Sequence, residues 1–297
     1  MENAIYPPRG WNSYDAFSWT IVEQEFLKNA KELSSRLLDY GYEIATVDAY
    51  WHKAIDGVSH VDEWGRVIPD PGKWPSSANG VGFRDVADQV HRLGLKFGIH
   101  VHGGISAVAV SAPNSPILDI STGKAYNEGG REWHAKDIIV SKDHFCPYAP
   151  SSFFINTSSG AGKAFLRSLF DLFSSWGVDF VKLDCVFAEN YNLETLISAL
   201  ILKEIDNPII LSVSPGYKAS LEMGLEVKGL VNMFRVTANT WDQWSNVKDH
   251  FDVARDFAWA GLIGAEGLRG NSWIDLDMLP LGRLTDQGYY EINNNYL

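Results

Sequence analysis

The sequence predicts a parallel (β/α)₈ barrel that is incomplete, with about seven strand–helix units, and three observations predict it. Short runs rich in β-branched and aromatic residues alternate with helical patterns almost from end to end, as repeated βαβ units do. Seven such runs occur with six helices between them. Most of the runs also end in a polar or charged residue, and the C-terminal strand ends are where a barrel keeps its chemistry. No Gly-x-Gly-x-x-Gly follows a strand and no phosphate-binding loop occurs, so nucleotide-binding sheets lose support.

The elements follow in order. GWNSYD (10 to 15) opens the series as a first strand. Thr20-Ile21-Val22-Glu23 has the form of a capping box, Phe26, Ala30, Leu33 and Leu37 recur at helical spacing, and Gly41 supplies a stop. YEIATVDAYW (42 to 51) is the second strand. A polar, turn-rich loop insertion spans 52–80, where Asp62, Glu63 and Asp70 read as solvated surface. The helix VGFRDVADQVHRLG and the strand LKFGIHVH (95 to 102) come next. The insertion 103–160, rich in Ser, Gly, Pro and Asn, is expected to shape the rim of the site, with Asp137 on its surface. A helix near 161 to 176 leads into VDFVKLD (178 to 184), and one near 191 to 205 into NPIILSVSP (207 to 215). A short helix precedes LVNMFRVT (230 to 237), and a helix from 241 to 258 precedes SWIDLDML (272 to 279). The polar tail DQGYYEINNNYL carries no eighth unit and no C-terminal β domain. An unclosed barrel would expose two sheet edges, so the tail, a partner or further chain is expected to cover them.

Composition narrows the function classes. A hydrophobic fraction of 45% over 297 residues supports one domain, 1–297, with a substantial core. A net charge of −12 with no basic stripe excludes a phosphate-backbone partner, so no nucleic acid is expected. No signal-like start and no long apolar run occur, so a soluble, cytoplasmic protein without a membrane partner is expected. The two cysteines, Cys146 and Cys185, are too few for a disulfide scaffold and are expected as free thiols. Aromatic residues make up 13% of the chain, and Trp11, Tyr14, Trp51, Trp241 and Trp273 lie near strand ends where they could stack on a flat, weakly polar ligand such as a sugar.

The strand ends carry Asp48, His100 and His102, Lys182 and Asp184, Ser214, Arg235 and Asn239, and Asp275 and Asp277. Alternation puts Lys182 and Asp184 on one side of their strand, where the ammonium would hold the carboxylate ionised. His100 and His102 likewise share a side and could bind a divalent metal with carboxylate help. Spacing fixes no third ligand, so no metal and no cofactor is expected.

GWNSYD, VDAYW (47 to 51), LKFGIHVH, VDFVKLDC (178 to 185), FRVTANTWDQW (234 to 244) and WIDLDMLPLG (273 to 282) resemble, in order and spacing, the melibiase-type enzymes of glycoside hydrolase family 27. These are α-galactosidases and α-N-acetylgalactosaminidases, and PPRGWNS, LSVSPG (211 to 216) and DMLPLG are similar to bacterial members. The resemblance covers almost the whole chain and implies a retaining α-glycosidase acting by double displacement on a terminal α-galactoside-like residue. It places the nucleophile at Asp184 and the acid/base at the position of Asn239, an amide that cannot donate a proton reversibly. It assigns sugar binding to Trp11, Asp48, Trp51, His100, Lys182 and Arg235, and the strand-end residues Ser214 and Asp277 are expected to join them. Asp48-Ala49 stands where many members have two aspartates, and Tyr14 replaces a frequent tryptophan. The partner expected is therefore a carbohydrate, and a homo-oligomer is left open. Two readings stand beside the impaired enzyme: an inactive carbohydrate-binding protein on a glycosidase scaffold, and a metal-dependent hydrolase built on His100 and His102.

Overall fold

In the computed structural model, alternating β-branched runs pair side by side into one curled parallel sheet. The structure describes residues 3–54, 57–143, 145–146, 149–186, 192–215 and 217–279. The sheet contains β1 (Gly10–Asn12), β2 (Ile44–Val47), β3 (Lys96–His102), β4 (Phe180–Asp184), β5 (Ile210–Ser214), β6 (Met233–Arg235), β7 (Ala265–Gly267) and β8 (Gly270–Asp275). Its order is β1-β2-β3-β4-β5-β6-β8-β7, parallel throughout except that β7 turns back antiparallel on β8. The helices α1 (Glu23–Leu37), α2 (Arg84–Arg92), α3 (Gly160–Ser175), α4 (Asn192–Glu204), α5 (Leu221–Glu226) and α6 (Trp244–Trp259) connect the parallel strands. The seven parallel strands and six helices read from the sequence are thus all present, in an incomplete (β/α)₈ barrel. The strands are shorter than their sequence runs, because the last residues of most runs leave the ladder to become the rim of the site.

Register sorts the barrel interior into layers. Phe180 is paired with Gly98 and Ile210, Lys182 with His100 and Ser212, and Asp184 with His102 and Ser214. With a period of two, these triplets point the same way in successive tiers. The lowest tier is apolar, with Ile44, Phe180 and Ile210 packed together against Met233. Gly98 keeps this tier closed, since a Cβ there would meet Thr46 Oγ1 at 2.5 Å. The larger core lies between sheet and helices and includes Phe26, Trp51, Trp74, Phe83, Phe97 and Trp176.

Three local expectations are corrected. The capping box before α1 does not form, because the Thr20 hydroxyl donates to Phe17 O and the Glu23 carboxylate accepts from the Ser76 backbone and hydroxyl. Gly41 does provide the stop, at φ 83° after a short 3₁₀ turn. The helix expected from 241 starts instead at Trp244, leaving Trp241 in the rim. Asp70 is buried rather than solvated and accepts from the Gly72 amide, with His60 Nε2 at 3.3 Å.

The barrel seam is bridged from the N-terminal side. Asn3 pairs with Gly270 as an isolated parallel bridge, and Trp273 Nε1 donates to Ala4 O at 2.8 Å. The expectation that the tail covers the gap falls on residues outside those described. The described residues of the insertion 103–160 form small antiparallel pairings, among them Ile105–Ser106 against Ser152–Phe153. No helix among the described residues is long and apolar enough to cross a membrane.

Candidate active site

A cleft of about 680 Å³ opens at the C-terminal ends of the strands. Asp48, His100, His102, Lys182, Asp184, Arg235, Asn239 and Asp277 line it, together with Tyr14, Asp15, Tyr50, Thr240, Trp241 and Met278. Seven of the ten residues expected to bind or transform a sugar, Asn239 among them, therefore meet in one place. Apolar lower tiers leave these charges no way to point except upward into the cleft.

Asp48 is the electrostatic anchor. Its Oδ2 accepts from Lys182 Nζ at 3.0 Å and from Asn12 Nδ2 at 2.6 Å, while Oδ1 accepts from the Ala49 amide. Burial would raise its pKa, but His100, Lys182 and Asn12 overcome that and hold it at about 2. The ion pair expected between Lys182 and Asp184 is thus corrected: the direct partner of Lys182 is Asp48, across β3. Burial opposes the Lys182 charge, yet Asp48, Asp184 and Asp277 together raise its pKa above the ordinary lysine value.

Asp184 is held by a different neighbour. His100 Nε2 lies 3.3 Å from Asp184 Oδ2, and the Cys185 amide donates to Oδ1 at 2.8 Å. Desolvation would push the carboxyl up, but the hydrogen bond and field of His100, with Arg235 and Lys182 behind it, drive it far below the usual carboxylate range. A permanently ionised oxygen is suited to act as a nucleophile or a charge stabiliser, not as an acid.

Across the cleft, Arg235 Nη1 donates to Asn239 Oδ1 at 2.8 Å and lies 3.6 Å from Asp277 Oδ1. Its Nε and Nη2 are buried with no hydrogen-bond partner among the described residues. Buried guanidinium donors left open cost free energy unless a ligand takes them up. Asp277 Oδ2 in turn accepts from the Thr240 amide at 2.6 Å and so ties the β8 end to the Asn239 loop. Asp275 is pushed up by burial and by the nearby Asp277 charge.

Other expected residues lie elsewhere. Trp51 is fully buried, its indole donating to His100 O at 2.6 Å, so it positions β3 from behind and does not line the cleft. Trp11 packs on Phe17 and Phe26 in the core. Ser214 is buried beside Asp184 without lining the cleft. Trp273 binds Ala4 O and lines a separate hollow with Gly224 and Phe257. Tyr14 and Trp241 do form an aromatic rim, 6.1 Å apart. Cys185 is disulfide-bonded and not a free thiol.

Sequence reasoning missed Asn12, Asp15, Tyr50 and Thr240. Tyr50 follows Ala49, both with left-handed backbone (φ 49° and 30°), and its ring stacks 5.2 Å from His102. Nothing in the local pattern signals such a turn, because neither residue is glycine.

Glu194 of α4, behind this site, is buried and accepts from the Gly104 amide at 2.9 Å. Burial raises its pKa from 4.5 to about 7. Its protonated form is therefore favoured by the fold, and that contribution is fully present below the unfolded value of 4.5 and is lost as pH rises through about 7. Glu194→Gln is expected to be more stable than the parent at pH 8.5, by up to roughly 3 kcal/mol, and to lose that advantage near pH 4.5. Urea unfolding of both forms at the two pH values checks this.

No family model matches the sequence. A β-L-arabinopyranosidase of glycoside hydrolase family 27 from Geobacillus stearothermophilus is 33% identical with a TM-score of 0.83, covering 95% of this chain and 62% of that one. Alpha-galactosidase mel1 of Schizosaccharomyces pombe is 23% identical over 299 residues, 94% of this chain and 56% of its own length. Alpha-galactosidase 3 of Arabidopsis thaliana is 25% identical over 277 residues, 93% and 48% respectively. The chain thus spans about half the length of these curated relatives.

Proposed function

Because the chain belongs to the melibiase-type glycoside hydrolases of family 27, we propose that its cleft is a retaining glycosidase site for a terminal α-galactoside-like sugar, impaired at proton transfer. The observation that carries this is the convergence of an ionised Asp184 with Lys182, Asp48, Arg235, Asn239 and Asp277 in one cleft. In this reading Asp184 attacks the anomeric carbon and forms a glycosyl–enzyme intermediate, which water then opens. Arg235, with two donors open, and Asp48 and Asp277 hold hydroxyl groups; Lys182 keeps Asp48 charged. Asn239 occupies the acid/base position, and its amide can hydrogen-bond the departing oxygen but not protonate it.

A pentopyranoside is a second reading, favoured by the arabinopyranosidase similarity and by Ala49. β-L-arabinopyranose is α-galactopyranose without its hydroxymethyl group, and a chain with one carboxylate fewer at β2 has less to offer that group. An inactive sugar-binding protein is the remaining alternative. The disulfide at Cys185 suits an oxidising compartment and weighs against the cytoplasmic location expected from the sequence.

The test is a panel of nitrophenyl glycosides. Aryl α-galactoside or aryl β-L-arabinopyranoside is expected to be cleaved about 10² to 10⁴ times faster than the matching disaccharide, because a nitrophenolate departs without a proton. Azide is expected to accelerate turnover and to yield a glycosyl azide of retained configuration. Sugar binding with no cleavage of any aryl glycoside, by this chain or by its Asn239→Asp form, would leave only the binding reading.

A further inference from the structure

We propose that His100, His102 and Asp184 form a site for a zinc-like divalent cation that competes with sugar for the cleft. The inference rests on the glycosidase reading for its consequence, though not for the binding itself. His100 and His102 project from the same side of β3, and Asp184 is the register partner of His102 on β4. Each offers one ligand atom, and the three atoms lie within 4.8 Å of one another, with His100 Nε2 and Asp184 Oδ2 3.3 Å apart. Donors around a tetrahedral zinc stand roughly 3.3 Å apart, given bond lengths of about 2.0 to 2.2 Å. One pair already has this spacing. The third ligand, His102, is only partly buried and has its ring perpendicular to His100 at 4.7 Å, so a side-chain rotation closes the set.

The surroundings support a metal independently of these three atoms. Ligating imidazoles usually direct their second nitrogen to a carboxylate, which fixes the ring and raises its basicity. His100 Nδ1 faces Asp48 Oδ1 at 3.7 Å, within ion-pair reach though longer than a hydrogen bond. Carboxylates in the cleft also outnumber its fixed cations, with Asp48, Asp184 and Asp277 facing Lys182 and Arg235. The ligands are two imidazoles and one carboxylate, a set suited to zinc rather than magnesium or calcium.

Three protein ligands leave one coordination position toward the cleft. A cation held there ties up the Asp184 oxygen that would attack the sugar. Metal and sugar therefore exclude one another, and the enzyme is silenced reversibly.

The experiment uses the whole chain, stripped with a chelator and then titrated with zinc chloride by calorimetry. One zinc per chain is expected, with affinity at least about tenfold weaker in His102→Gln. Cobalt(II) in place of zinc is expected to show the ligand-field absorption of a four-coordinate ion and to lose it in the same variant. Galactose or arabinose should weaken the apparent zinc affinity, and zinc should raise KM for the aryl glycoside without lowering kcat, reversibly with chelator. Absence of saturable zinc binding and of a cobalt spectrum overturns the inference, as does binding that His102→Gln leaves intact. If no glycoside is cleaved but zinc still binds through His102, the glycosidase reading fails and the metal site stands. Cleavage indifferent to zinc, with no binding, gives the reverse.

Discussion

Asn239→Asp is expected to raise kcat/KM on a natural disaccharide by about 10² to 10⁴, with little change on a nitrophenyl glycoside. The asymmetry is the informative part, because only the disaccharide leaves as an alkoxide that needs a proton. The restored carboxyl would lie beside Arg235, whose Nη1 now donates to Asn239 Oδ1 at 2.8 Å. A guanidinium at that distance favours the ionised form and so works against a general acid. The gain is therefore expected to be largest at acidic pH and to decline as pH rises. Steady-state kinetics of both forms on both substrates across pH would measure it. An equal gain on the two substrates would contradict a role for position 239 in proton transfer, and no gain on either would move the missing function elsewhere.

The second large effect concerns stability. Lys182 and Asp48 are 8% and 2% exposed, and their side chains meet at 3.0 Å in the barrel mouth. Lys182→Met leaves a buried carboxylate with Asn12, a backbone amide and the more distant His100 as its remaining partners, and a broken buried pair costs about 3 to 5 kcal/mol. Asp48→Asn alone is expected to cost a similar amount by stranding the ammonium. The double variant should recover most of the loss, since a pair removed whole is often close to neutral. Chemical unfolding of the four proteins in a double-mutant cycle gives the coupling directly. Additive losses would mean that the two groups act separately despite their geometry.

How much of this was legible depends on whether the deciding contact is local. The order of strands and helices could be read because Phe26, Ala30 and Leu33, or the run from Lys96 to His102, carry their periodicity within one element. Asp48, Lys182, Asp184 and Arg235 were found because charged residues ending apolar strands have few other reasons to be there, and Asn239 because of its place four residues after Arg235 in the family motif. Pairing was not legible. Lys182 stands two residues from Asp184 in sequence, yet its ammonium reaches across β3 to Asp48, a contact 134 residues away. Trp51 shows the same limit from the apolar side, since an aromatic at a strand end reads alike whether it faces ligand or core. The capping box failed because Thr20 and Glu23 found tertiary partners that a four-residue pattern does not contain. The disulfide at Cys185 escaped because two cysteines far apart in sequence do not reveal whether their thiols meet and are oxidised.

The bridge from Asn3 and Ala4 to Gly270 and Trp273 has a kinetic meaning. Trp273 and Ala4 are 269 residues apart, so their bond closes nearly the longest loop the chain can make. The entropy of such a closure must be met before the contact returns anything, which places it after the intervening strands have ordered. The contact is thus expected to form late: it adds little to the rate of folding and fastens the N-terminal segment to the last strands once these have paired.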